Sequence, residues 1–439
     1  MTPFPLRGIR RCRLLWTGCA LALSLFALSC SRTLPSAPAA GTDGIGTRPA
    51  PSRFNAVPEY LNEVAVLPQK GVSVRRLAEE YGARIAPGSN YVCVRFLPAE
   101  GETPDQLAAR LMADARVVAA ERNAVIETAE TRQESYASDD GLGSLHTTLD
   151  QPAVEALGFR LAHRVSDGSG VRVAVLDTGA DPNHRWLRHR IAGGADYVDY
   201  DDDFTDVRDG LDGDDDGIID EAYGHGTHVA GIVAIGAPRA RLLVVRVLDA
   251  DGRGDIATVT AGLRWAIDHG AHVINLSLGM LTPSLCIERL LESAEAAGVI
   301  VVASAGNWGA ELPLEYPASS RRVIAVAASS AFAAPAPFTS FGHHVALAAP
   351  GIGVRSAYPG GGWRLWSGTS MSAPFVSGTV ALLKSVHGGW TRAEVMRRLA
   401  EGARPLVGIS IEQRGKLGVG MLHAGSSLAA DGRQAGRGR

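Results

Sequence analysis

From residue 63 the apolar and polar positions fall into short regular blocks. "EVAVLP" alternates as a strand, "SVRRLAEEYG" has helical spacing, and "ARIAPG" and "NYVCVRFLP" read as two further strands. "TPDQLAARLMADA" begins a second helix, with Thr103 as N-cap and Pro104 in the first turn, and "VVAAERNAVIE" closes as a strand. The order βαββαβ predicts a small α+β, ferredoxin-like unit. Beyond residue 165 the pattern changes. "VRVAVLD", "RLLVVRVLD", "HVINLSLG", "GVIVVASAGN", "VIAVAAS" and "HVALAAP" are short and almost continuously apolar, as strands buried on both faces are. Between them Ile256, Val259, Leu263 and Ile267 share one helix face; so do Ile287, Leu290, Leu291 and Ala294, with Gly298 placed to end that helix. Strand alternating with helix predicts an α/β, doubly wound, mostly parallel sheet, whose functional residues should sit at the carboxyl ends of the strands.

The flanks read differently. Arg7, Arg10, Arg11 and Arg13 precede the apolar run "LLWTGCALALSLFAL", which is short for a membrane-spanning helix, so residues 1–30 read as an export signal. The run ends in "ALSC", which resembles a bacterial lipoprotein processing site with Cys30 as the lipidated residue, although Ala27 stands where a leucine is usual; plain secretion is the alternative. Residues 31–52 are rich in Pro, Ala, Ser and Gly and read as a flexible tether; 131–150 are polar and aperiodic, a linker; 428–439 read as a disordered tail.

With 439 residues, 46% of them hydrophobic and 20% charged, the chain can bury more than one core. A formal net charge of -3 and the lack of a basic stripe give no attraction to nucleic acid. Apart from the leader cysteines, only Cys93 and Cys286 remain; they fall in different predicted domains, so a structural disulfide is not expected.

Candidate chemistry concentrates in four places. Asp177 ends the strand "VRVAVLD" and is followed by Thr178 and Gly179. His225 and His228 sit three apart in "YGHGTHVAGIVA". Asn307 ends "VVASAGN". Ser370 lies in "SGTSMSAPFVSGTVALLK", where Gly368 allows a tight entry and Pro374 reads as a first-turn proline, which places the hydroxyl at a helix N-terminus that favours developing negative charge. A zinc site would need a third ligand and a glutamate beside the first histidine, neither of which "HGTH" supplies, so His228 reads as a structural histidine. "GTSMS" also lacks the second glycine of a nucleophile elbow.

"VLDTG", "HGTHVAG", "SAGN" and "GTSMSAP", in that order, resemble the subtilisin-like serine peptidases over most of residues 150–425. The resemblance implies Ser370 as nucleophile, His225 as general base, Asp177 as the group orienting it, and Asn307 with the Ser370 N–H as the oxyanion hole, with no cofactor needed for the chemistry. It also implies Ser277, Leu278 and Gly279 on one wall of the substrate cleft, Ala305 and Gly306 on the other, and Glu315 near the base of the first pocket, where a carboxylate would favour a basic side chain unless it points to solvent. The βαββαβ unit is similar to the inhibitory prodomains of such peptidases, whose closing strand runs into the cleft. The maturation bond then falls soon after Glu127, either after Ala129, with Ile126 in the fourth subsite, or after Arg132.

The insertion "DYVDYDDDFTDVRDGLDGDDDGIIDEAYG" departs most from a minimal member of that family. Asp212, Asp214, Asp216 and Asp220 match the start of a calcium loop, while Tyr223 stands where the bidentate glutamate should be; a structural calcium, with Asp202, Asp203 and Asp206 nearby, and a merely solvated acidic loop both fit. The sequence therefore predicts a signal at 1–30, a tether at 31–52, an inhibitory prodomain at 53–130, a linker with the maturation site at 131–150, and a peptidase domain at 151–427. The expected protein is an exported, membrane-anchored or secreted monomeric endopeptidase that acts on proteins or peptides and is inhibited by its own prodomain. The rival is a catalytically silent surface protein that binds peptides on the same scaffold.

Overall fold

The structure is a computed structural model that describes residues 58–130, 135–213 and 215–435. The signal, the tether, Cys30, Asp214 and the residues around Arg132 lie outside the described residues. Among the described residues no helix is long and apolar enough to cross a membrane.

The first unit follows the predicted order: β1 (Tyr60–Pro68), α1 (Val74–Tyr81), β2 (Arg84–Ile85), β3 (Val94–Leu97), α2 (Pro104–Met112) and β4 (Val117–Glu127). Its strands run antiparallel in the order β2-β3-β1-β4. Thr103 caps α2 through a reciprocal box with Gln106, and Pro104 opens the helix where no N–H is needed. Period-two alternation divides the sheet. Val64, Val66, Val94 and Phe96 pack on Leu77, Leu107 and Leu111, whereas Ala65, Leu67, Cys93 and Ile126 face the opposite way, into a cluster shared with the second unit.

Three short helices follow, α3 (Leu145–Leu149), α4 (Pro152–Ala156) and α5 (Phe159–Ala162). The first corrects the reading of 131–150 as wholly aperiodic, because Ser144 and Thr147 form a capping box that starts a helix without an apolar repeat. The main sheet has seven parallel strands in the order β12-β11-β10-β9-β5-β7-β6. They are β5 (Arg172–Asp177), β6 (Ile191–Asp196), β7 (Arg241–Arg246), β9 (Val273–Leu276), β10 (Ile300–Ser304), β11 (Val323–Ser329) and β12 (Val345–Pro350). Short β8 (Arg253–Asp255) pairs outside this sheet, and β13 (Val354–Tyr358) and β14 (Gly362–Trp366) form a hairpin. Val173, Val175, Val244 and Val302 belong to one core with helices α6 (His225–Gly236) and α9 (Thr369–Val386); Ala174, Leu176, Val245 and Val301 belong to the other, with α7 (Ile256–Asp268) and α8 (Leu285–Ala296). Two apolar cores on opposite faces are what a doubly wound sheet requires.

Helices α6 and α9 approach as closely as backbones can: a Cβ on Gly378 would lie 2.8 Å from the Gly236 Cα. Two elements complete the chain, α10 (Arg392–Gly402) and α11 (Ala424–Ala435). The latter corrects the expected disordered tail from 428, since Leu428 is fully buried in the core and carries the helix onward to Ala435.

Candidate active site

Asp177, His225, Asn307 and Ser370 come together at one edge of the main sheet, each for a local reason. Asp177 is the last residue of β5, fully buried, and its Oδ1 accepts from the Thr178 N–H at 2.8 Å. His225 is the first residue of α6, and its Nδ1 lies 2.7 Å from that same Oδ1. The helix can start there because its second residue has no side chain: a Cβ at Gly226 would stand 2.1 Å from the Gly179 carbonyl. Further ties come from the Thr178 hydroxyl, which accepts from the Gly226 N–H, and from Asp206, which accepts from the N–H groups of Gly224 and Thr227 and from the Thr227 hydroxyl. Asp206 is thus a helix cap and not part of an acidic metal cluster, which corrects that expectation. Burial pushes its carboxyl up to about 6, against the hydrogen bonds from Thr227 and Gly224.

Trp366, from β14, presents its ring edge-on to His225 and His228, with centroids 5.2 and 5.7 Å away. His228 is buried, its Nε2 3.1 Å from the carbonyls of both Val354 and Arg364, so it holds the β13–β14 hairpin together. Burial first of all lowers its pKa to about 3, and it stays neutral. This is the structural role the sequence suggests.

Ser370 is the second residue of α9, after Gly368. Pro374 is not in the first turn, as expected, but sixth in the helix. A proline there has no N–H for the carbonyl four residues back. That carbonyl belongs to Ser370 and accepts instead from the Ser277 hydroxyl at 2.9 Å, and Ser277 in turn accepts from the Asn275 amide at 3.0 Å. The proline therefore leaves the nucleophile's backbone to be held by the neighbouring wall. Asn307 is oriented from its oxygen side, which accepts from both the N–H and hydroxyl of Thr369 at 2.9 Å. Its NH2 must then point toward Ser370.

The group that fills this constellation was not foreseen. Glu130, three residues past β4, is fully enclosed between the two units. Its Oε2 accepts from the Ser370 hydroxyl at 2.5 Å and lies 3.4 Å from His225 Nε2; its Oε1 accepts from the Asn307 amide at 2.9 Å and from the Ser370 N–H at 3.3 Å. Burial alone would raise the Glu130 carboxyl, but the facing His225 and the bonds from Ser370 and Asn307 outweigh it and hold it below its ordinary value. For His225, burial would lower the pKa, yet Asp177 and then Glu130 push it up to about 10. In sequence Glu130 is one more acid in a polar stretch; only the register of the strand before it could have pointed to the site.

That register is explicit. Glu127 and Gly279 exchange N–H···O bonds of 3.0 and 2.8 Å, and the Thr128 N–H bonds the Gly252 carbonyl at 3.0 Å. On the other side Val125, Ile126 and Glu127 oppose Asp255, Gly254 and Arg253 of β8. Residues 125–128 thus lie as a middle strand between two walls, one of which, β8, was missing from the sequence reading. Ser277, Leu278 and Gly279 follow directly on β9, and Gly279 pairs with this middle strand. Ala305 and Gly306 follow directly on β10, and the Gly306 N–H bonds the Thr369 hydroxyl at 3.2 Å. Glu315 does not point to solvent. It is buried, its Oε1 accepts from the Trp308 indole at 2.6 Å, and a Cβ on Gly279 or Gly306 would meet its side chain at 2.2 or 2.4 Å.

The acidic insertion is tied together by its own carboxylates, Asp214 lying outside the described residues. Asp212 accepts from the N–H groups of Asp216 and Gly217, Asp216 from that of Ile218, and Asp220 from those of Asp209 and Gly210. These carboxylates cap the backbone of their own loop. Among the described residues no three His, Cys, Asp or Glu side chains converge as metal ligands would.

A buried Asp–His pair, a serine hydroxyl at a helix N-terminus and an amide aimed beside it, at the edge of a parallel sheet, are the parts of a serine peptidase. Residues 168–420 match Peptidase_S8, the Subtilase family. Subtilisin BL of Lederbergia lenta is 41% identical over 248 residues, 54% of this chain and 85% of that protein. The thermostable alkaline protease of Halalkalibacterium halodurans is 38% identical over 267 residues, 59% of this chain and 67% of that one. Among solved structures fervidolysin of Fervidobacterium pennivorans, a keratinolytic enzyme related to subtilisin, shares the fold with a TM-score of 0.67 at 24% identity, over 84% of this chain and 61% of that chain. The chain belongs to the subtilase family, the subtilisin-like serine endopeptidases, which need no cofactor for catalysis.

Proposed function

We propose that the protein is an exported serine endopeptidase made as an inhibited precursor, with Asp177, His225 and Ser370 as its catalytic triad. The observation that carries this reading is the carboxylate of Glu130, held at once by the Ser370 hydroxyl, the Ser370 N–H and the Asn307 amide. Donors that converge on one anionic oxygen there would equally stabilise the oxyanion of an acyl-transfer intermediate.

With a peptide in place of Glu130, His225 Nε2 takes the Ser370 proton as Oγ attacks the carbonyl, while Asp177 holds the other ring nitrogen and stabilises the imidazolium. The oxyanion forms against Asn307 and the Ser370 N–H. Collapse returns the proton to the leaving amine, and water repeats the sequence on the acyl-enzyme. Gly279 and Gly252 offer the backbone groups that align an extended substrate.

Residues 53–130 act as the inhibitor, with 125–128 lying in the cleft as a substrate would. The Glu127–Gly279 pairing supports Ile126 as the occupant of the fourth subsite and Ala129 of the first, and with them maturation between Ala129 and Glu130 rather than after Arg132. Glu315 closes the pocket that Ala129 enters and favours small or basic side chains there. The leader at 1–30 supports export, with Cys30 as the lipid attachment point. Fluorophosphonate labelling tests the whole: the matured protein should carry one adduct on Ser370, and an unlabelled Ser370 in a matured, folded sample would overturn the peptidase reading. N-terminal sequencing tests the bond, with Glu130 as the expected first residue.

A further inference from the structure

The sheet of the first unit turns one face toward the peptidase body, and two cysteines meet there. Cys93 directly precedes β3 on that face and is fully buried. Cys286 is the second residue of α8, also fully buried, in the same cluster as Ala65, Leu67 and Cys93. Glu121 of β4 fixes the approach, since it accepts from the N–H groups of Leu285 and Cys286 and from the Ser284 hydroxyl, so a carboxylate of one unit caps a helix of the other. Ala65 pairs with Glu121 on one side and Arg95 on the other, and its carbonyl is 3.7 Å from Cys286 Sγ. Cys93 and Cys286 lie in one buried cluster, and the neighbouring Cys93 together with burial holds the Cys286 thiol well above its ordinary range. The expectation against a disulfide rested on the two cysteines belonging to different domains; the fold brings those domains together at this pair.

We propose that Cys93 and Cys286 are a cross-linking site that covalently ties the inhibitory unit to the peptidase body. This rests on the reading of residues 53–130 as an inhibitor. The bond forms by exchange with a dithiol oxidase or a low-molecular-weight disulfide: two thiols become one disulfide, and the oxidant's disulfide takes up both electrons and both protons as two thiols. Because both sulfurs end fully buried and the closed thiol is unreactive, exchange takes place while the interface is forming, in an export compartment that permits it. The consequence is specific. After the chain is cut beyond Ala129, an untethered inhibitor leaves on dilution, whereas a tethered one stays at an effective concentration of order mM. The cut alone then does not release activity, and breaking the bridge does.

The test uses the full chain exported to an oxidising compartment and denatured without reductant in excess iodoacetamide. Peptide mass spectrometry should find Cys93 and Cys286 joined, two hydrogens lighter than the sum, and neither alkylated; two alkylated cysteines would overturn the proposal. This readout is independent of maturation, so it stands even if the chain never cuts itself. In matured samples the two fragments should run as one species without reductant and as two with it. Diluted to about 10 nM, matured Cys93→Ala and Cys286→Ala variants should show at least tenfold more peptidase activity than the oxidised parent. Equal activity, with the bridge present, would refute the tethering role. Melting curves of the variants guard against a folding defect at these buried positions.

Discussion

Replacing Glu130 with alanine removes the carboxylate while leaving the strand at 125–128 paired on both sides. The side chain makes two short bonds, from the Ser370 hydroxyl at 2.5 Å and the Asn307 amide at 2.9 Å, and a longer one from the Ser370 N–H. Hydrogen bonds to a charged group contribute about 1.5–3 kcal/mol each. Taking the lower value for the two short ones gives about 3 kcal/mol, or roughly a hundredfold at about 1.4 kcal/mol per decade. The same carboxylate helps to hold His225 as an imidazolium, which cannot accept the Ser370 proton. Both effects close the site, so the intact Glu130→Ala precursor should react with a fluorophosphonate on the order of 100 times faster than the parent. Glu130→Gln, which keeps the shape and loses the charge, should fall between. Labelling is timed by intact-mass spectrometry before maturation sets in. Rates within twofold of the parent would mean that the strand, not the carboxylate, does the blocking.

Three further outcomes follow from the geometry. In a Ser370→Ala precursor the raised pKa of His225 adds stability that is complete below its unfolded value near 6.5 and is lost as pH rises through about 10, so the urea midpoint should fall over that window more steeply than in the Glu130→Gln, Ser370→Ala double variant; parallel curves would remove Glu130 from the linkage. Gly226→Ala would force a methyl to within 2.1 Å of the Gly179 carbonyl; overpacking at well-packed sites costs roughly 1–3 kcal/mol, and thermal melting should show at least that, with turnover falling as His225 shifts. Glu315→Gln should lower kcat/KM for lysine or arginine in the first subsite by roughly tenfold and leave alanine within a factor of about two, the size of one charge-assisted bond; an equal loss on both substrates would make Glu315 a packing residue.

The sequence made the frame legible because its strands are buried on both faces and therefore nearly continuous in apolarity, and because Asp177, Asn307 and Ser370 each follow directly on such a strand or open a helix. What escaped it has no apolar signature. Strand β6 is "IAGGAD", in which glycine makes room at position 194 for the Phe204 ring. Strand β8 is three residues long and exists because β4 pairs with it. Glu130 carries no local pattern, and the Cys93–Cys286 contact joins residues 193 positions apart, which no spacing rule reaches. In the acidic insertion the spacing is legible but the pairing is not: Asp212 accepts from the N–H groups of Asp216 and Gly217, and Asp220 from that of Gly210.

The contact between Gly236 and Gly378 bears on how such a protein can change over generations. His225 and Ser370 each lie at the start of a helix, and those two helices touch backbone to backbone at Gly236 and Gly378, where neither residue has a side chain to shrink. At this crossing the distance between the helices that carry His225 and Ser370 is set by main-chain contact. Glu315, proposed above to bear on the first subsite, sits outside that contact. A lineage can retune what it cuts many times over while the cutting parts stay in step, and the two glycines are the positions at which such drift should stop.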